Sequence, residues 1–166
     1  MQKKYLSVLV ENHAGVLARV SSLFCQRGFN IESLTVSATD NPEISRITIV
    51  SSGDEASFRQ IIKQTAKLIE TKAIFPLNLR TSLLRELLMI KLRTNEENRG
   101  RINEIARAFK AETIDVSVGS IVLELTGEPE PIDSFLSSLS EFEILEMCRT
   151  GVTAMERGEV SYLLED

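Results

Sequence analysis

Tryptophan is absent from these 166 residues, and aromatic side chains make up only 5% of them. A base-stacking platform for single-stranded nucleic acid is therefore not in view. The charge balance points the same way: 24 acidic against 19 basic residues give a formal net charge of -5, where a nucleic-acid surface carries a basic excess. There is one histidine, His13, and there are two cysteines, Cys25 and Cys148, far apart and without a C-x-x-C spacing. That is too thin a ligand set for a metal centre. Cys25 falls in a helical stretch and Cys148 in a late strand, so both thiols are expected reduced and packed. Nothing provides His13 with both a nucleophile and an orienting acid at a spacing that nucleophilic catalysis requires. No glycine-rich loop with its lysine is present to cradle phosphate. No apolar run approaches the ~20 residues of a membrane span. The start, Met1-Gln2-Lys3-Lys4, leads directly into a strand, so a soluble, cytoplasmic protein is expected.

What is present is enough apolar material, 43% of the residues, to pack a core for one domain or two small ones. Leu6, Val8 and Val10 alternate with Ser7 and Leu9, predicting a strand over 4–10. Val16, Val20, Leu23 and Phe24 carry a helix face within 15–27, and Gly28 stands as its left-handed terminator. A second strand begins at Phe29. Its inward residues change parity, from Phe29 and Ile31 to Leu34, Val36 and Ala38, which predicts a bulge near Glu32-Ser33. Asp40-Asn41-Pro42-Glu43 reads as a turn and 44–51 as a third strand. Asp54 caps a helix with the face Phe58, Ile61, Ile62, Thr65, Leu68 and Ile69. Ala73, Phe75 and Leu77 form a fourth strand, at an edge because Pro76 lies within it.

The order β-α-β-β-α-β then repeats. Leu88, Ile90 and Leu92 mark a strand. Ile102, Ile105, Ala106 and Phe109 mark a helix with Asn95 as its cap. Ile114, Val116 and Val118 alternate next, and Gly119-Ser120 turns the chain into 121–125. Pro129 and Pro131 open a helix bearing Ile132, Phe135, Leu136 and Leu139, and 142–149 closes the sheet. The fold expected is α+β, two tandem ferredoxin-like βαββαβ domains covering 1–79 and 80–166 and joined near Arg80-Thr81-Ser82. The polar end from Gly151 to Asp166 is expected to fray. Arg93, Arg99, Arg101, Arg107 and Lys110 form a basic stretch, offset by Glu96, Glu97, Glu104 and Glu112. It reads as a solvated face or as a docking surface for an acidic partner.

The constellation that invites a function is Asn12-His13-Ala14-Gly15 with the helix after it and Asn30 at the head of the next strand. Two side-chain amides, a glycine and free backbone N–H groups are expected to converge at one end of the sheet. That would suit a ligand with a carboxylate and an ammonium group. The plainer alternative is that Asn12 caps the helix, Gly15 fits a turn, and nothing binds.

Three runs carry a resemblance: Leu6-Ser7-Val8-Leu9-Val10-Glu11-Asn12, Gly15-Val16-Leu17-Ala18-Arg19-Val20, and Arg27-Gly28-Phe29-Asn30-Ile31-Glu32-Ser33-Leu34. With Ser45-Arg46-Ile47-Thr48-Ile49 and the late Arg149-Thr150-Gly151-Val152, they resemble the acetolactate synthase small (regulatory) subunit family over about 5–158. The resemblance implies an amino-terminal ACT domain followed by a ferredoxin-like domain, and a homodimer formed through the ACT domains. It implies valine as feedback effector at that interface. Asn12, Gly15, Val16 and Leu17 of one subunit would face Asn30 and Ile31 of the other, and His13 and Ala14 would contribute loop backbone. It also implies a chain without catalysis of its own, activating a large catalytic subunit that holds the thiamine diphosphate, magnesium and FAD. The alternatives are an ACT-type sensor attached to another amino-acid biosynthetic enzyme, or an acylphosphatase-like enzyme on the same fold. The latter needs an arginine in the first loop, which here has none.

Overall fold

Strand β1, Lys3–Glu11, organises the first sheet. Leu6, Val8 and Val10 turn to one face and Tyr5, Ser7 and Leu9 to the other, and all six are buried. Both faces of this sheet are therefore covered. The protein is described here from a computed structural model, which covers residues 3–159. It divides into two compact units, one running to Leu83 and taking in the segment from Val152, the other spanning Leu84–Gly151. The sequence-based boundary after residue 79 had grouped the segment from Val152 with the second domain; the compact units group it with the first.

In the first unit α1 is Val16–Gln26, β2 Ile31–Ala38, β3 Ile44–Ser52, α2 Glu55–Thr65 and β4 Thr71–Pro76. The sheet is antiparallel between neighbours, in the order β2-β3-β1-β4. Pro76 thus lies on an edge strand, as expected of a residue that cannot donate to a ladder. Val16, Val20 and Phe24 of α1 and Phe58 and Ile61 of α2 pack on Leu6, Val8, Ile47 and Ile49. The expected bulge is present, as a register shift between Ile31 and Ser33.

Both helix ends follow local rules. Asp54 Oδ1 accepts from the Ser57 N–H at 2.8 Å, capping α2. At the end of α1, Gly28 has φ +70°, a region L side chains rarely adopt. The Phe29 N–H reaches Phe24 O and the Gly28 N–H reaches Cys25 O, both at 3.0 Å. This is the paired 6→1 and 5→2 closure of a Schellman motif. Its apolar contact is the edge-on Phe24–Phe29 ring pair, with centroids 6.3 Å apart. Phe29 is consumed in that turn, so β2 starts at Ile31 rather than at Phe29.

The second unit contains α3 Arg99–Phe109, β6 Glu112–Val116, β7 Ser120–Gly127, α4 Pro129–Ser138 and β8 Ile144–Arg149. Its sheet has the order β6-β7-β5-β8, built on the twelve-residue β5, Ser82–Arg93, whose first two residues belong to the first unit; β9, Thr153–Glu156, which also lies in the first unit, pairs with β5 off this path. Leu88, Ile90, Leu92, Ile121, Leu123, Ile102, Ile132 and Phe135 form the core. The double βαββαβ order is therefore as expected, and the tandem α+β architecture holds.

Several expectations are corrected. Cys25 and Cys148 are both exposed, because α1 turns Val20 and Phe24 inward one step before Cys25 and β8 is exposed along its length. Ile69 is 86% exposed, since α2 ends at Thr65 and its apolar stripe ends there too. Ile114, Val116 and Val118 are exposed, because β6 is an edge strand broken by a register shift between Thr113 and Asp115. Asn98, not Asn95, stands at the N-cap of α3, while Asn95 Oδ1 accepts from the Glu97 and Asn98 N–H groups to shape the turn before it. The basic stretch is partly engaged within the chain: Arg99 donates to Ser117 O and Val118 O, and Arg93 to Glu143. The segment after Gly151 does not fray at its start, since Val152 and Ala154 are buried and β9 follows. Residues 160–166 of that expectation lie outside the described residues.

Candidate effector site

The loop between β1 and α1 is held by the turn of the β2–β3 hairpin. The Asn12 N–H donates to Glu43 O and its Nδ2 donates to Pro42 O, each at 2.7 Å. Asn12 therefore does not cap α1. The N-cap is Gly15, at φ +90°, with no side-chain cap bond. A Cβ there would meet nothing within 4 Å, so glycine is required by the backbone angle rather than by crowding. Gly15 supplies no side-chain acceptor to the first turn of α1, and a helix start of that kind carries N–H groups that favour an anion.

The remaining loop residues fall into place around it. His13 and Ala14 are exposed; His13 Nε2 lies 3.1 Å from Glu11 Oε2 and Nδ1 lies 3.2 Å from Ala14 O. Glu11 also accepts from Lys72 Nζ, 2.5 Å away, and the Lys72 bond, then His13, holds its carboxyl below the usual range. Val16 is 4% exposed and belongs to the core, so it can offer a ligand only its backbone; Leu17, 40% exposed, presents its side chain. Two positions that residue spacing had not singled out brace this end. Arg19 donates to the buried Glu70 carboxylate, and Glu70 O accepts from the Glu11 N–H at 2.9 Å. The partners are 51 positions apart, so only the tertiary fold reveals them.

Asn30 and Ile31 are not beside this loop in the same chain, contrary to the expected convergence. Glu11 pairs with Ile44 at one end of β3, whereas Ile31 pairs with Ser51 at the other. From Ile44 to Ser51 is seven steps of about 3.3 Å, roughly 23 Å. The reason lies in the β-α-β connection: α1 returns the chain along the sheet, so β2 runs parallel to β1 and its head lies at the tail end of the ladder. Asn30 is exposed, with its carbonyl accepting from Ser51 Oγ at 2.8 Å, and Ile31 is half-buried at the head of an edge strand. Neither asparagine can reach the other within one chain.

Among the described residues no group of three or more His, Cys, Asp or Glu side chains is arranged to hold a metal ion. No helix among them is long and apolar enough to cross a membrane.

Comparison with known proteins bears on both units. Residues 6–73 match the family model for the AHAS small subunit-like ACT domain, and residues 85–158 match that for the small subunit of acetolactate synthase. The chain is 45% identical over 156 residues to a probable acetolactate synthase small subunit of Archaeoglobus fulgidus, covering 94% of this chain and 98% of that one. It is 38% identical over 158 residues to the acetolactate synthase isozyme 3 small subunit of Escherichia coli, covering 95% and 97%. Among solved structures, the acetolactate synthase small subunit of Thermotoga maritima superposes with a TM-score of 0.88 at 34% identity, over 96% of this chain and all of that one.

Proposed function

Because this chain belongs to the acetolactate synthase small subunit family, we propose that it is the non-catalytic regulatory partner of an acetolactate synthase catalytic chain, activating it and conferring feedback inhibition by valine. The observation that carries the effector reading is the separation of roughly 23 Å between the Asn12 loop and Asn30, set beside the free edge of β2. A site using both asparagines needs two copies. Antiparallel pairing of β2 with the β2 of a second copy brings the Ile31 end of one strand to the Ala38 end of the other. Ala38 pairs with Ser45 at the end of β3 where Asn12 lies. One twofold axis thus makes two equivalent pockets, each from the loop of one copy and the strand head of its partner.

In each pocket the amides at the uncapped start of α1 receive the valine carboxylate. Asn12 Oδ1, its Nδ2 being occupied by Pro42 O, accepts from the ammonium group, and the side-chain amide of Asn30 completes the polar set. These bonds are charge-assisted and stronger than neutral ones. Leu17 and Ile31 give the branched side chain an apolar wall. One methylene more or less is worth only ~1–3 kcal/mol there, so leucine and isoleucine compete weakly. Since the pocket spans two copies, occupancy alters how they sit together, and a coupling of roughly 1–3 kcal/mol passes to the catalytic partner. The thiamine diphosphate, magnesium and FAD that the reaction employs are held by that partner.

Calorimetric titration of the full chain with valine, then of Asn30→His, tests the reading. Valine binds the parent, while the variant loses binding and, reconstituted with the catalytic chain, loses inhibition. An Asn30→His chain inhibited like the parent would overturn the assignment.

A further inference from the structure

The face of the first sheet away from α1 and α2 is buried, and it carries hydroxyls among apolar side chains such as Leu9, Val50 and Phe75. By register Ser33 and Thr35 of β2, Thr48 of β3 and Ser7 of β1 share it, with Ser7 and Thr48 at 0% and 2% exposure. The segment Val152–Arg157 is seated on this unit by hydrogen bonds. Val152 is gripped at both ends of its peptide unit: its N–H donates to Ser33 Oγ at 3.1 Å, and its carbonyl accepts from Thr35 Oγ1. Arg46 Nη1 reaches Ala154 O at 3.4 Å while its guanidinium lies over the Phe75 ring, 5.9 Å from the centroid. Farther on, Ser82 Oγ meets Glu156 Oε1 at 3.0 Å, and the Arg157 N–H donates to Thr81 O at 2.7 Å.

Two features make this seat more than a covering. Apart from the pairing of β9 with β5, it is held by side-chain hydroxyls and backbone groups with only Val152 and Ala154 deeply buried, and such hydrogen-bonded segments open more readily than a packed core. Its gripping residues also sit on β2, the strand whose head is Asn30-Ile31, separated from them only by the register shift between Ile31 and Ser33. A bulged edge strand is locally adjustable. Contacts that fix Asn30 and Ile31 fix the bulge, and with it the two hydroxyls three and five positions after Asn30. The chain passes between its compact units at Leu83–Leu84 and at Gly151–Val152, so the seated segment starts where one of these passages ends.

We propose that Val152–Arg157 is a strap whose seating is coupled to effector occupancy through Ser33 and Thr35, which act as positioning residues for the regulatory response. The strap is firmly seated when the pocket is filled and opens more often when it is empty. By reciprocity, unseating the strap weakens the effector by the same factor. The inference rests on the effector reading given above.

The test is backbone hydrogen exchange of the full chain with and without saturating valine, alongside calorimetry on the same samples. Valine is expected to slow exchange at Val152 and Arg157 about tenfold, within the 5- to 150-fold range of ordinary coupling. In the double variant Ser33→Ala, Thr35→Val, the two amides exchange faster at rest and valine no longer slows them, although it still binds. Thr35→Ser with Ser33 intact keeps the donor and recovers the response, which separates coupling from general loosening of the fold. Unchanged strap exchange in a parent that binds valine overturns the coupling and leaves the effector reading standing. Failure of the parent to bind valine overturns both.

Discussion

Replacing Gly15 by aspartate isolates what the loop does. Gly15 sits at φ +90° as the N-cap of α1, and a Cβ at that point meets no atom within 4 Å. The folded-state penalty in the chain is therefore the backbone angle alone, about 1–2 kcal/mol for an L residue. Asp eases it, since its short side chain tolerates left-handed backbone and is a good N-cap residue. Against a typical stability of ~5–15 kcal/mol the variant stays folded, with a melting temperature lowered by roughly 2–4 °C per kcal/mol lost in a chain of this length. The pocket responds differently, because the new carboxylate stands where the ligand carboxylate must lie. Two like charges about 4 Å apart at an effective dielectric constant near 20 repel by roughly 4 kcal/mol, close to a thousandfold in affinity. Circular dichroism melts and valine calorimetry on Gly15→Asp and Gly15→Ala read the two effects apart. The alanine variant shares the backbone strain and not the charge, so it should bind valine far better than the aspartate variant. Valine binding by Gly15→Asp within a few-fold of the parent would refute the placement of the carboxylate at this helix start.

Other consequences follow from single observations. Arg149 donates to the buried Glu86 carboxylate and to Asp133 at 2.7 Å. Arg149→Leu therefore strands a buried charge and should cost roughly 3 kcal/mol or more in urea unfolding, with much of the loss recovered on adding Glu86→Gln. Bonds from the Ser57 backbone and then its hydroxyl hold the Asp54 carboxyl below its ordinary value, and Lys4 does the same for Glu55. A depressed carboxyl stabilises the fold above its unfolded pKa and loses that contribution as pH falls through the folded one. Melting temperature should thus drop below about pH 4, and drop less steeply in Asp54→Asn. Cys25 and Cys148 are exposed, so both should react with a thiol reagent in the native state, and Cys25→Ser should move stability by no more than about 0.5 kcal/mol.

Much of the fold could be read from the chain because local rules and packing agree there. The parity change from Ile31 to Leu34 betrays a bulge, since one extra residue is what shifts side chains to the other face. Pro76 marks an edge because its missing N–H would break an inner ladder, and Asp54 before an amphipathic stretch can do little else than cap. The misreadings arise where one residue type serves two local purposes. Asn12 at a strand end could cap a helix or bind a neighbouring turn, and only the tertiary fold brings Pro42 O and Glu43 O to it. Val152 and Ala154 are too few and too small to announce burial, and hydroxyls far off in sequence, on Ser33 and Thr35, provide their seat. The candidate residues could be picked out of the sequence, but their places in the fold could not. Asn12 and Asn30 look adjacent when the chain is read along, whereas a β-α-β connection must put them at opposite ends of the sheet.

The shared pocket can be tested most directly by mixing Gly15→Asp chains with Asn30→His chains and titrating valine. Neither variant binds alone. In a mixed pair one pocket carries both substitutions and the other carries neither, so random exchange should restore about a quarter of the parental sites. No recovery on mixing, with pairs shown to exchange, would mean that each pocket lies within a single chain and would contradict the account.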